Sequence, residues 1–142
     1  MKTSTPRLAL CIGMVALVLM PLAGCETPVA THPVTGTVML ANGSPAGGGI
    51  IKFRTTSEDG EIVKAHGQIQ SDGSFRLTTF QDGDGALEGD HEVILFSPAT
   101  GDGGGAVAVP NFPNRYRKYE TSGLKFHVSP GENDFVIQLE TR

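Results

Sequence analysis

The chain has no tryptophan and only 2 tyrosines among its 142 residues. A platform on which sugar rings or bases could stack is therefore poorly supplied. Charge is sparse as well: 18% of residues are charged, and the formal net charge is −4. A chain without a basic excess lacks the electrostatic footprint of a nucleic-acid binder, so no nucleic-acid partner is expected. No segment carries a helical period, and no internal repeat is visible. Glycine and proline, in contrast, are plentiful at 19 and 9 residues, and they cut a chain into short pieces. Apolar residues make up 39% of the chain and recur in patterned runs, unlike those of a disordered polypeptide. The length suits one domain plus additions.

Cysteine is nearly missing, and where the two cysteines fall decides what they do. Met1-Lys2-Thr3-Ser4-Thr5-Pro6-Arg7 carries two positive charges and no acid, and residues 8–20 are then wholly apolar or small. A run of about 13 residues is too short to span a bilayer but suits the apolar core of an export signal. Leu22-Ala23-Gly24-Cys25 follows at once. Small residues let the backbone lie extended in a peptidase groove, and a thiol is a nucleophile able to accept a lipid. These four residues resemble the bacterial lipoprotein lipobox. The resemblance implies a diacylglyceryl group on Cys25, removal of the leader 1–24, and acylation of the new amino group. Several acyl chains anchor stably where one would be marginal. The other readings are a secreted protein with Cys25 free, or an uncleaved membrane helix.

Cys11 would leave with the leader and Cys25 would be modified, so neither cysteine catalysis nor a zinc–thiolate site is expected. Loss of Lys2 and Arg7 leaves nine basic residues against 15 acidic ones, a net of −6. Such a body gains nothing from an anionic lipid surface, so the anchor is expected to be the lipid. Residues 25–32 read as the lipidated cysteine and a short extended tether.

The domain is expected over 33–142. Its clearest stretch is 67–80, GQIQSDGSFRLTTF, a hairpin pattern around Ser71-Asp72-Gly73-Ser74. Alternation or dense apolar character marks strands at 34–40, 50–55, 62–70, 75–79, 91–97, 124–128 and 134–139. The 91–97 strand is expected to be central and covered on both faces. The last two are expected to form a hairpin across Pro130-Gly131-Glu132-Asn133. Residues 98–119 read as one long irregular loop, a kind that is usually mobile or functional. About seven strands with turn signals every 8–12 residues or so signal a sandwich or barrel. Two sheets closed face to face would hide the apolar strand faces.

The ordered set Val34-Thr35-Gly36-Thr37-Val38, Asn42-Gly43-Ser44-Pro45, Ile51-Lys52-Phe53 and Ser71-Asp72-Gly73-Ser74-Phe75 resembles the carboxypeptidase-regulatory-like domain. Gly89-Asp90-His91-Glu92-Val93 fits a later element of that family, with His91 where tyrosine is usual. Gly83-Asp84-Gly85-Ala86 after Thr79-Phe80, and Tyr119-Glu120-Thr121-Ser122-Gly123-Leu124, resemble small bacterial lipoproteins carrying only this domain. The resemblance spans about 33–139. It implies an all-β, seven-stranded prealbumin/transthyretin-like Greek-key sandwich with a non-catalytic habit. It implies no ligand, because a fold alone does not fix a function. Hydroxyisourate hydrolases, relatives of transthyretin, end in Tyr-Arg-Gly-Ser. This chain ends Leu139-Glu140-Thr141-Arg142, so that activity is not expected.

Four groupings bear on chemistry. Asp82, Asp84, Glu88 and Asp90 begin like a calcium loop, but the twelfth position from Asp82 is Val93 where a bidentate glutamate is needed. A turn-forming acidic loop is the expectation. His32, His66, His91 and His127 are scattered, which suits structural or solvated roles. No serine sits in a nucleophile-elbow context. Arg115, Tyr116, Arg117, Lys118 and Tyr119 form a basic–aromatic cluster. It either grips an acidic glycan, peptidoglycan or an envelope protein, or its rings cap the sandwich edge while its charges are solvated. The chain is thus expected to be a non-enzymatic lipoprotein of the cell envelope, facing the periplasm or exterior, without cofactor or metal. Its expected role is that of a structural or protein-interaction module. The alternative is glycan or peptide binding through 98–119.

Overall fold

Strand-length runs with a two-residue period bury alternate side chains only if something covers that face, and here two sheets cover each other. The structure, a computed structural model, describes residues 29–97 and 112–140. The leader, the lipobox with Cys25, and residues 98–111 lie outside the described residues. Those described are 49% strand and 8% helix, and none of their helices is long and apolar enough to cross a membrane.

Nine strands are present among them: β1 Thr31–His32, β2 Val34–Met39, β3 Ile50–Thr56, β4 Ile62–Gln68, β5 Ser74–Arg76, β6 Ala86–Leu87, β7 Gly89–Phe96, β8 Leu124–Val128 and β9 Asn133–Gln138. A 3-10 turn at Asn114–Arg117 and a one-turn helix, α1 at Tyr119–Ser122, lie between β7 and β8. One sheet has the order β5-β2-β9 and the other β4-β3-β7-β8, while β1 and β6 form a small ribbon. Strands β2 and β9 run parallel, and every other pair is antiparallel.

The shared core is built from the inward residues of both sheets, among them Val34, Val38, Ile51, Phe53, Phe75, Val93, Leu95, Val128 and Ile137. Phe53 is its hub, with ring centroids 6.3 Å from Phe75, 6.1 Å from Phe126 and 6.2 Å from Phe135. Gly36 in β2 makes room for these rings. A Cβ there would stand 2.3 Å from the Phe135 carbonyl oxygen and 2.6 Å from the Phe75 ring. One flank of the sandwich is stitched between sheets. His66 and Thr78 exchange backbone hydrogen bonds of 2.9 and 2.8 Å, and Gln70 N–H donates to Ser74 at 2.8 Å. The turn between the latter pair uses Gly73 at φ +81°, a conformation open to a residue without Cβ. Asp72 Oδ1 secures it by accepting from Ser74 N–H at 2.9 Å.

Four expectations need correction. The 124–128 and 134–139 strands do not form a hairpin: β8 pairs with β7 and β9 with β2. The connection is an arch between sheets, closed by Asn133. Its Oδ1 accepts from Ser129 N–H at 2.9 Å, and its Nδ2 donates to the Ser129 oxygen at 2.9 Å. These side-chain bonds replace the ladder a hairpin would have used. Strand β7 is central in its sheet but packs the core on one face only. His91, Val93 and Leu95 are buried, whereas Asp90 is exposed and Glu92, Ile94 and Phe96 are half-buried. The outer face is only partly covered, by the segment that carries Tyr119. The tether is shorter than read, because Thr31 and His32 pair with Leu87 and Ala86. Gly85 permits this approach: a Cβ there would lie 1.8 Å from the His32 oxygen. Finally, the described part of 98–119 is not irregular throughout, since it holds the 3-10 turn and the start of α1. Four-residue helices carry no detectable period.

Candidate functional site

The basic–aromatic segment Arg115–Tyr119 is divided by the fold into an anchored part and an exposed part. Phe112 seats the segment against Gly49, where a Cβ would stand 2.6 Å from the Phe112 ring. Tyr116 is buried in the core. Its hydroxyl accepts from the Glu140 backbone N–H at 2.9 Å and from the Arg115 guanidinium. Arg115 also pairs with Glu140 at 2.9 Å. Its hydrogen bond to Tyr116, and then that to Glu140, hold the guanidinium above its ordinary pKa. Thr121 Oγ1 donates to the Arg115 carbonyl at 2.7 Å, tying α1 to the turn.

Tyr119 lies on the outer face of the larger sheet. Its ring covers the Arg54 guanidinium, whose carbon is 3.9 Å from the ring centroid. Arg54 in turn donates to Glu92 at 2.5 Å. That hydrogen bond is the main reason the Glu92 pKa lies below, and the Arg54 pKa above, their ordinary values. Burial raises the Tyr119 phenol, whose hydroxyl has no hydrogen-bond partner among the described residues. Tyr116 therefore anchors the segment in the core, and Tyr119 lays it on the outer face. Arg117 and Lys118 are the exposed members of the segment.

Strand register builds the rest of this face. Lys64, Arg54, Glu92 and Lys125 stand opposite one another across four strands. The neighbouring row sets Asp90 against His127, whose Nδ1 lies 2.8 Å from Asp90 Oδ1 in an exposed pair. Lys52 lies 4.9 Å from the Phe96 ring centroid. The alternation in 50–55 separates Lys52 and Arg54 from the core. Their opposition to Glu92 and Ile94 depends on register, which no single strand carries. The face thus carries the Arg54–Glu92 ion pair, the His127–Asp90 contact and two cation–π contacts.

The four histidines are dispersed. His32 Nδ1 accepts from Gly131 N–H at 3.2 Å, His66 is exposed on β4, and His127 pairs with Asp90. His91 is 2% exposed and points into the core, 5.7 Å from the Phe53 ring. Its Nε2 lies 2.8 Å from the Leu87 carbonyl oxygen. A carbonyl can only accept, so Nε2 carries the proton. Nδ1 is buried and has no partner among the described residues. Burial lowers the His91 pKa, and the Leu87 bond only partly offsets this.

The acidic loop is organised from within. Asp84 accepts backbone N–H bonds from Thr79 at 2.7 Å, Phe80 at 2.9 Å and Gln81 at 3.0 Å. Burial works against its charge, but these donors outweigh it and hold the pKa below the ordinary carboxylate value. Among the described residues, no three of His, Cys, Asp and Glu come together as a metal-ion cluster.

The described residues thus define a mostly β protein with two facing sheets and a charged outer face. No family model, no curated protein and no solved structure matches the chain.

Proposed function

We propose that this chain is a lipid-anchored, non-enzymatic lipoprotein of the bacterial cell envelope, held by Cys25. Its body is a seven-stranded Greek-key sandwich of the transthyretin-like, carboxypeptidase-regulatory-like kind, serving as a structural or protein-interaction module. The observation that carries the reading is Leu22-Ala23-Gly24-Cys25 directly behind a basic and then an apolar stretch. Two features of the body support it. Chain order begins the sandwich at Thr31, only a few residues beyond Cys25, so a lipid there would hold the body close to a membrane. Charged groups are also used to join elements of the fold: Arg115 pairs with Glu140 at the end of β9, Arg54 and Glu92 cross two strands, and Asp84 closes a loop. Mass spectrometry of the chain produced in a bacterial host tests the reading. The expected product starts at an acylated Cys25. An intact leader, or an unmodified thiol at Cys25, would overturn it.

A second reading, glycan or peptide capture through 98–119, draws support from Arg117 and Lys118, which are exposed beside the Tyr119–Arg54 stack. Replacing both cations with Ala is expected to release the protein from immobilised acidic glycan or peptidoglycan. Undiminished retention would reject this reading.

A further inference from the structure

We infer that the outer face of the larger sheet is a track for an acidic polysaccharide, gripped by charge and not by ring stacking. This deepens glycan capture beside Arg117 and Lys118 and rests on that reading, but it moves much of the grip onto the sheet. The chain as a whole is acidic, with a formal net charge of −4. Its cations are nevertheless gathered on one side. Lys52, Arg54, Lys64 and Lys125 rise from this face, and Arg117 and Lys118 are exposed on the segment laid against it. The other lysine and arginine side chains among the described residues are Arg76 and Arg115. Both are tied down elsewhere: Arg76 donates to the Gly83 oxygen at 3.2 Å, and Arg115 pairs with Glu140. The acids that oppose the face cations are Asp90, Glu92 and, from α1, Glu120. Cations outnumber them, so a positive face stands on a negative body.

The placement of these cations favours a chain-like anion. Arg54 at the centre is already used, lying under Tyr119 and paired with Glu92. Around it, Lys52, Lys64, Lys125, Arg117 and Lys118 make no ion pair among the described residues. Lys64 and Lys125 end the four-strand row, three strand spacings or about 14 Å apart. Lys52 stands two residues along β3 from Arg54, about 7 Å away.

A docking protein would need an apolar centre, and the centre here is an ion pair beneath a ring. A bilayer is opposed by the chain's direction. Val29, on the side leading to Cys25, lines a hollow with Glu58, Asp59 and Glu88, so an anionic lipid surface there would meet acids. A polymer of acidic sugars needs only separated cations within reach of its successive carboxylates or phosphates. Such recognition makes no demand on tryptophan, which the chain lacks.

Binding of the full chain, in nonionic detergent, to immobilised alginate tests the inference, with dextran as the uncharged control. Retention on alginate alone is expected at about 20 mM NaCl and is expected to be lost by about 0.5 M, where surface charges are screened within a few ångströms. The combined variant Lys52→Gln, Lys64→Gln and Lys125→Gln is expected to bind about tenfold more weakly, with a shallower dependence on salt. Glutamine keeps most of each side chain, and circular dichroism verifies the wild-type β spectrum. Arg76→Gln, which removes a cation from β5 in the other sheet, is expected to leave retention unchanged. If the triple variant binds like wild type while loss of Arg117 and Lys118 releases the chain, the sheet track is overturned and glycan capture by the segment stands. If wild type ignores alginate at low salt, both fall. Tighter retention on immobilised polyglutamate than on alginate, lost in the same triple variant, would overturn the polysaccharide in favour of an acidic protein.

Discussion

Phe126 and Phe135 stand 5.0 Å apart, ring centroid to ring centroid, although they lie on strands of different sheets. Each also packs near Phe53, at 6.1 and 6.2 Å. The arch over Ser129–Asn133 therefore folds two alternating strands so that their apolar faces oppose one another across the core. A hairpin would have set the same faces side by side on one sheet.

The glycine beneath these rings is the most sensitive point of the core. Gly36→Ala is expected to destabilise the fold by about 1–3 kcal/mol, the ordinary cost of overpacking a close-packed interior. The obstacle on one side is backbone, the Phe135 oxygen, which cannot rotate away as a flexible side chain can. Urea unfolding would read this as a lower midpoint with an unchanged slope. An unchanged midpoint would mean that β2 and β9 separate at little cost.

The two tyrosines should behave oppositely when each loses its hydroxyl. Tyr116 joins Arg115 to the Glu140 backbone, so Tyr116→Phe takes the acceptor from two part-buried donors and is expected to cost about 1 kcal/mol. The Tyr119 hydroxyl is buried without a partner among the described residues. Tyr119→Phe is therefore expected to be neutral or slightly stabilising, with the ring still over Arg54. Thermal melts of the pair check the contrast, and equal losses would refute it.

Each strand expected from the sequence overlaps a strand of the structure, although of 75–79 only Phe75 and Arg76 lie in β5; alternating or dense apolar runs of strand length carry that signal. What was illegible had no local signature. Two-residue strands such as β1 and β6 have no period to detect. The arch at Pro130-Gly131 reads like a hairpin because both need a turn between alternating runs. The pairing of β8 with β7 and of β9 with β2 distinguishes them, and no local run carries that. The Arg115–Tyr119 cluster offered a binding patch or an aromatic cap, and composition could not choose. The fold seats Tyr116 in the core beside the Glu140 backbone, lays Tyr119 over Arg54, and leaves Arg117 and Lys118 exposed.

Asp84 should link the acidic loop to acid sensitivity. Its folded pKa is depressed by three backbone donors acting against burial. Its stabilisation is therefore complete above the unfolded carboxylate value and is lost as pH falls through the folded one. Asp84→Ala is expected to cost about 1 kcal/mol at neutral pH, the ordinary net worth of such bonds. Asp84→Asn, which keeps an acceptor without charge, should lose less. Hydrogen exchange at Thr79, Phe80 and Gln81 should rise in both variants. Unchanged protection there would show that the loop is held by other contacts.

His91 should act in a higher pH window. Its folded pKa is depressed by burial, so the folded protein resists a proton that the unfolded chain accepts below about 6.5. In that window the unfolded state binds more protons, and stability falls as pH falls. The loss continues until the folded pKa is passed, with a slope of at most about 1.4 kcal/mol per pH unit for one group. His91→Phe is expected to flatten it, at the cost of the Leu87 hydrogen bond at neutral pH. Denaturant midpoints between pH 7.5 and 5 would measure both effects. A wild-type midpoint that does not move across that range would refute a neutral, buried His91.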